Sequence, residues 1–300
     1  MIMPRTTLEQ WRAFQAVVEH GGYAQAAHAL HRSQSSISYL VARLQEQVGV
    51  PLLVVEGRKA QLTDAGRTLL VHAGQLLADA QNLEKMAASL AKGWEAELRL
   101  VVDQALPKEL LARAMQQFQQ QAPQTQVELV EVVLSGAEEA IVAQRADVMV
   151  GAYVPTGYLG SLLMDLEFVA VAHKDHPLHA LGRNIDEDDL KRHRHIVVRD
   201  SGTLNPRDEG WLGSSRRWTV SSLQASIELI AGGLGFAWLP RHMVQPWLDS
   251  GVLRPLPLVK GQQRRASLYL VLGGGHSTQA GPAAQLLARM LDDAVKTFSL

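Results

Sequence analysis

Ser33-Gln34-Ser35-Ser36-Ile37-Ser38-Tyr39, with Arg43 one turn further on, is a run of side chains able to bond nucleic-acid bases and phosphates. A glutamine amide can bond an adenine edge, a serine hydroxyl a base or a phosphate, and an arginine guanine or phosphate. Ile37, Leu40 (with Val41), Leu44 and Val48 recur at helical spacing through the same segment. They leave Gln34, Ser35, Ser38, Tyr39, Ala42, Arg43 and Glu46 on the opposite, outward face. Ser33 suits the N-cap and Gly49 ends the helix.

Such a face needs a scaffold. Thr7-Leu8-Glu9-Gln10 has the form of a capping box. Leu8, Trp11, Phe14 (or Gln15) and Val18 then follow as a helical stripe that Gly21 and Gly22 stop. Tyr23 to Leu30 is rich in small residues, as a helix crossing close to the next must be. Together these predict a helix-turn-helix suited to the major groove; the plainer alternative is a three-helix core with a solvated polar face. Pro51 to Thr63, with Gly57-Arg58-Lys59 at its tip, reads as a hairpin wing. The expected DNA contacts are Ser33, Gln34, Ser35, Ser36, Ser38, Tyr39, Arg43, Arg58 and Lys59.

Leu69, Ala73, Leu76, Ala80, Leu83, Ala87 and Leu90 fall in alternating steps of four and three. This is a heptad seam on a helix from about residue 64 to 92. Such a seam either packs on its own domain or meets a second copy in a coiled coil, and the alanines permit close approach.

Beyond residue 97 the pattern alternates strand and helix, which predicts an α/β domain with a parallel sheet. Strands are expected at 98–102, 126–134, 147–152, 168–172, 195–199, 236–239 and 266–272. In such sheets a ligand lies beyond the carboxyl ends of the strands. The candidates there are Asp103, Gln104, Ser135, Tyr153, Arg199, Ser201, Thr203, Ser221 and Phe236. Arg199 is the cation placed for a carboxylate; Asp103 suits an amine or hydroxyl, or pairs with Arg199. Several of these residues also suit plain capping roles. The expected ligand is a small anionic or aromatic-carboxylate metabolite.

Three motifs are discounted. Gly232-Gly233-Leu234-Gly235 follows a helix and precedes a strand, the reverse of a dinucleotide fingerprint. The histidines at 173, 176, 179, 193 and 195 suggest zinc, but such loop histidines are usually solvated, and no metal is expected. Asp186-Glu187-Asp188-Asp189 is a solvated helix start. No nucleophile elbow, phosphate loop or His-Glu-x-x-His occurs, so no catalytic residue and no cofactor is expected.

Composition sets outer bounds. The 300 residues are 47 % hydrophobic and 20 % charged, which favours packed domains over disorder. Net charge is −1, and residues 1–62 carry six basic and four acidic side chains, a weak excess that calls for a dimer to double the phosphate contacts. There is no cysteine, hence no disulfide framework. No signal-like or membrane-length apolar run is present, and a cytoplasmic location is expected.

Residues 7–70 resemble the N-terminal domain of LysR-type transcriptional regulators. The resemblance rests on the Ala24–Leu30 run, Ser33 to Ser38, Leu44-Gln45-Glu46-Gln47-Val48-Gly49-Val50-Pro51-Leu52-Leu53, Gly57-Arg58, and Leu62-Thr63-Asp64-Ala65-Gly66. The layout remains similar to the C-terminus. Two departures occur: the family usually has an aromatic at Leu53, and basic residues where Val55 and Glu56 stand, so the wing should grip phosphate less strongly. The resemblance implies a mixed fold: a winged helix-turn-helix (1–63), a linker and dimerisation helix (64–92), and a two-lobed effector domain of periplasmic-binding-protein type (93–300). Lobe I would span about 97–162 and 269–300, and lobe II about 163–268. It also implies antiparallel linker helices, a homodimer assembling to a homotetramer, double-stranded DNA carrying an interrupted inverted repeat, and RNA polymerase as a possible further partner. The competing readings are an α/β enzyme with unrecognised chemistry and a constitutive architectural DNA binder.

Overall fold

The computed structural model describes residues 4–56, 59–208, 210–273 and 280–298. The chain divides into two compact units, 1–89 and 90–300.

In the first unit, α1 (Leu8–Glu19) opens in the expected capping box: Gln10 N–H donates to Thr7 Oγ1, and Thr7 N–H to Gln10 Oε1. Its buried face is not the expected stripe. Gln10, Ala13, Phe14, Ala16 and Val17 point inward, while Leu8 is exposed and Trp11 and Val18 lie at the margin. Small Ala13 and Ala16 are the residues that let the neighbouring helices approach closely. Helix α2 (Tyr23–Ala29) buries Ala26 and Ala27. After a left-handed His31, Ser33 caps α3 (Gln34–Val48) by accepting from Ser36 N–H. Ile37, Val41 and Leu44 are the buried stripe of α3, and Gly49 closes it in the left-handed conformation.

The wing is an antiparallel hairpin of β1 (Leu53–Glu56) and β2 (Lys59–Leu62). Gln45 on α3 anchors it: its Oε1 accepts from both Leu52 and Leu53 N–H, at 2.8 and 3.0 Å. Thr63 donates its hydroxyl to Pro51 O at 2.7 Å and accepts from Gly66 N–H, starting α4 (Asp64–Ala91). A Cβ on Gly66 would stand 2.1 Å from the Leu52 carbonyl oxygen, so only glycine admits this approach.

The second unit is built on one nine-stranded sheet. Strand β3 (Glu97–Asp103) lies parallel between β4 (Gln126–Val132) and β5 (Val148–Gly151). Helices α5 (Lys108–Gln121), α6 (Ser135–Val142) and the C-terminal α10 (Pro282–Lys296) complete this half. Glu95 fixes the start of α10 by accepting from Ala283 and Ala284 N–H. The other half carries β7 (His195–Val198), β8 (Arg217–Val220), β9 (Phe236–Pro240) and β10 (Leu253–Pro255). Helices α7 (Glu187–Lys191), α8 (Leu223–Ala231) and α9 (Arg241–Asp249) flank them.

Two long strands run through both halves: β6 (Gly160–His173) and β11 (Gln263–Leu272), paired antiparallel. The sheet is therefore mixed, not parallel throughout as expected. The expectation at 168–172 caught only the end of β6, whose first residues are exposed and so lack a buried-strand pattern. Strands β8 and β10 escaped the sequence reading: the first is largely exposed and the second has three residues. At Leu268/Tyr269 the β6–β11 register slips, leaving Leu163 as the extra residue of a bulge.

The Gly66 contact is directly testable. Gly66→Ala should destabilise the first unit by about 1–3 kcal/mol through overpacking. Gly74→Ala, in the same helix with nothing within 4 Å, should stabilise it by about 0.5–1 kcal/mol. Urea melts of the two variants check the opposite signs.

Candidate functional sites

Two surfaces have the chemistry of a function. The first is the outer face of α3. Gln34, Ser35, Ser38, Tyr39, Ala42, Arg43 and Glu46 are all exposed, Tyr39 at 65 %. Ser33 is exposed as well, but its hydroxyl is engaged as the helix cap and lies 2.9 Å from Ser35 Oγ. Ser36 is half-buried. Arg43 pairs with Glu46 on the same face at 2.5 Å, both side chains largely exposed. A pair so exposed is worth at most about 1 kcal/mol, little enough for a better partner to displace. Arg58 lies outside the described residues, and of Lys59 only the backbone is described, as the start of β2.

The seam of α4 divides in two. Ala73 is buried and Leu69 packs against the core of its own unit. Leu76, Leu83 and Leu90 are 46, 68 and 49 % exposed, and Ala87 is exposed with them, Ala80 less so. The first heptad therefore serves the domain, and the later leucines stand on open helix surface.

The second surface is a cavity of about 250 Å³ where the two halves of the second unit meet. Of the nine expected ligand residues, Asp103 and Tyr153 line it. Phe236 is fully buried behind it, stacked on the lining residue His195. Asp103 is no free carboxylate: Ala105 and Leu134 N–H groups donate to it, and burial raises its pKa. Gln104 accepts from Leu223 N–H across the two halves at 2.9 Å. Arg199 is exposed and stands outside the cavity, as does exposed Ser221; the neighbouring Ser222 caps α8.

Ser135, Ser201 and Thr203 do not face the cavity as expected, because they join the two halves directly. Asp200 accepts from Ser135 N–H and Oγ, the latter at 2.7 Å, and from the N–H groups of Gly202 and Arg207. Ser201 Oγ accepts from Val133 N–H and donates to Val133 O. Glu139 accepts from Thr203 and Leu204 N–H, and these bonds hold its carboxyl below the usual range. Arg207 completes the clasp, donating to Glu138 at 2.7 Å with its guanidinium 3.6 Å over the Tyr153 ring. Both loops carry a Ser-Gly pair, and the fit is reciprocal. A Cβ on Gly136 would meet Ser201 Oγ at 2.0 Å, and one on Gly202 would meet Ser135 Oγ at 2.1 Å.

Sequence reasoning missed the cavity's main wall. His195, Trp211 and Trp238 lie within 6 Å of one another by ring centroids. Arg264 reaches over Trp238 at 4.5 Å. These residues are scattered over seventy positions, so spacing carries no signal for them. His195 belongs to this wall rather than to a histidine cluster; His176, by contrast, packs against His193 and accepts from Leu178 N–H. Burial pushes both His176 and His195 down to about 4, with neighbouring His193 and Arg264 adding to the effect respectively.

Comparison with known proteins gives matches over nearly the whole chain. Residues 8–67 match the family described as bacterial regulatory helix-turn-helix protein, lysR family, and residues 91–296 the LysR substrate binding domain. The uncharacterized HTH-type transcriptional regulator YeeY of Escherichia coli K12 is 34 % identical over 243 residues, covering 79 % of each chain. The probable HTH-type transcriptional regulator YhaJ of the same organism is 31 % identical, covering 83 % of this chain and 85 % of its own. A solved OxyR C206 mutant of Corynebacterium glutamicum shares the fold at TM-score 0.53 and 22 % identity, over 98 % of this chain and 94 % of its own.

The two buried histidines predict an acid limb of stability. Their folded pKa values lie below the unfolded value of 6.5, so between pH 6.5 and about 4 the unfolded chain takes up protons that the folded chain refuses. Stability should be full above pH 6.5 and fall as pH drops through that window. Thermal melts across pH should show this slope, and His195→Phe should flatten it; an unchanged slope would mean that His195 charges freely in the fold.

Proposed function

The chain belongs to the LysR family of bacterial transcriptional regulators, and from that premise we propose how its surfaces divide the work. It is a DNA-binding regulator with an effector-binding domain, and not an enzyme. The α3 face reads the major groove, with Gln34, Ser35, Ser38, Tyr39 and Arg43 at base edges and phosphates. The observation that supports this most strongly is that every one of these side chains is exposed on a helix fixed at both ends by Ser33 and Gly49. Arg58 and Lys59 add backbone contacts from the wing.

The exposed leucines of α4 meet those of a second copy, giving a dimer that reads an interrupted inverted repeat. Two dimers form a tetramer that works in the cytoplasm, with RNA polymerase as a further partner. The effector lies in the 250 Å³ cavity rather than on Arg199. It alters the population of lobe arrangements to the extent that it binds one better than another, and the clasp at Asp200 and Glu139 must give way in that change. A constitutive architectural binder would have no use for either cavity or clasp.

Footprints on sites recovered from random DNA test the reading head. Gln34→Ala and Arg43→Ala should each cost about 1–3 kcal/mol per half-site and relax specificity at the contacted base. Wild-type footprints from both variants would show that α3 does not read the bases.

Leu76→Asp and Leu83→Asp test the assembly. Both side chains are exposed in the single chain, so the monomer should fold normally. In a dimer each aspartate would be buried without a partner. Sedimentation should show lost dimers, and DNA binding should fall in parallel; an unchanged oligomer would exclude the α4 seam as the interface.

A further inference from the structure

We infer that the cavity of this regulator selects a planar aromatic or heteroaromatic ring, neutral or anionic, stacked on the wall of His195, Trp211 and Trp238; the inference rests on the reading of that cavity as the effector site.

The wall is preformed. His195 lies flat on Phe236, with centroids 5.0 Å apart and planes 7° from parallel. Trp238 stands edge-on to both His195 and Phe236 and donates its indole N–H to Gly261 O at 2.7 Å. Trp211 tilts against His195, Phe236 and Trp238 at 5.7–6.1 Å. The rings already touch one another, so a ligand stacks on the face of the cluster rather than between its members. His195 is 6 % exposed, and its Nδ1 has no hydrogen-bond partner among the described residues. A buried orphan of this kind calls for a partner, and the adjoining cavity is where one would enter.

An aromatic wall can take either a cation or a flat ring. The charges decide between them. The Arg264 guanidinium lies on the wall, Arg265 also lines the cavity, and His195 is held neutral beside them. Asp103, the acid lining the cavity, already accepts from two backbone N–H groups. A cation would therefore meet positive charge with no free carboxylate to offset it, whereas a neutral ring or an aromatic anion would not. The volume is below the roughly 300–1,000 Å³ of pockets for drug-sized ligands, which suits one ring or two fused rings with a small substituent.

Calorimetry on the full chain separates these classes, with benzoate and 2-naphthoate as aromatic probes. Cyclohexanecarboxylate serves as the saturated control of the same charge and tetramethylammonium as the cation. The aromatic acids should bind about two- to tenfold tighter than cyclohexanecarboxylate, the advantage expected from ring stacking beyond buried area. Tetramethylammonium should not bind. Trp211→Leu should bring the two acid classes to parity; Trp211 is partly exposed, so the variant should fold, and Trp238→Leu is the second variant. Cyclohexanecarboxylate binding as tightly as benzoate, binding of tetramethylammonium, or no aromatic probe binding at millimolar concentration would overturn the inference. Wild-type footprints in the same preparation keep the two readings apart. A specific footprint without ring preference overturns only the ligand class, whereas no specific footprint overturns the regulator reading itself.

Discussion

The second unit depends on one continuous ladder, the antiparallel pairing of β6 with β11. On one side of the bulge β11 pairs with β5 and the start of β6; on the other it runs beside β6 residues 164–169. Each lobe is thus hydrogen-bonded to the same two strands. A bulge bends a strand and breaks the regular ladder locally, and this one falls where the two lobes exchange strands. Relative motion of the lobes must be absorbed there, because the ladders on either side are regular and buried.

Across the gap from that hinge the lobes are fastened by polar contacts of a different kind. Asp200, Ser201 and Glu139 act chiefly through backbone N–H and carbonyl partners, so the clasp reads loop conformation rather than side-chain identity in the facing lobe. The cavity lies between hinge and clasp, with its aromatic wall on the β7–β9 side. This arrangement gives the polar residues to lobe closure and the aromatic ones to the ligand. A ligand bound against the wall acts on the clasp through the loops that carry Asp103 and Tyr153, both of which line the cavity.

In the first unit the constraint is local and tighter. Two side chains, Gln45 and Thr63, carry the backbone bonds that attach the wing to α3 and to the start of α4. Gly66 lets α4 begin against the Leu52 carbonyl. The exposed groups of α3 are then presented by a helix with little freedom to rotate, since Ile37, Val41 and Leu44 are fully buried behind it. Rigid presentation is what base readout needs, because each good contact discriminates only at hydrogen-bond distance.

The sequence by itself determined whatever is encoded in adjacent residues. The caps at Thr7 and Ser33, the left-handed Gly49, the hairpin and the outward face of α3 all follow from short-range rules of capping and periodicity. Even there the buried face of α1 was misjudged, since whether Leu8 or Ala13 turns inward depends on which helix packs against it. Tertiary structure decided the rest. Ser135, Ser201 and Thr203 looked like ligand groups because serine and threonine at strand ends suit that role; the clasp appears only when loops sixty-odd residues apart are brought together. The cavity wall is the extreme case. Its rings come from β7, from β9 and from the loop before β8, and Arg264 arrives on the returning β11. Local spacing cannot encode that meeting, because it is produced by long-range strand pairing and by the burial of rings too large to be left in water.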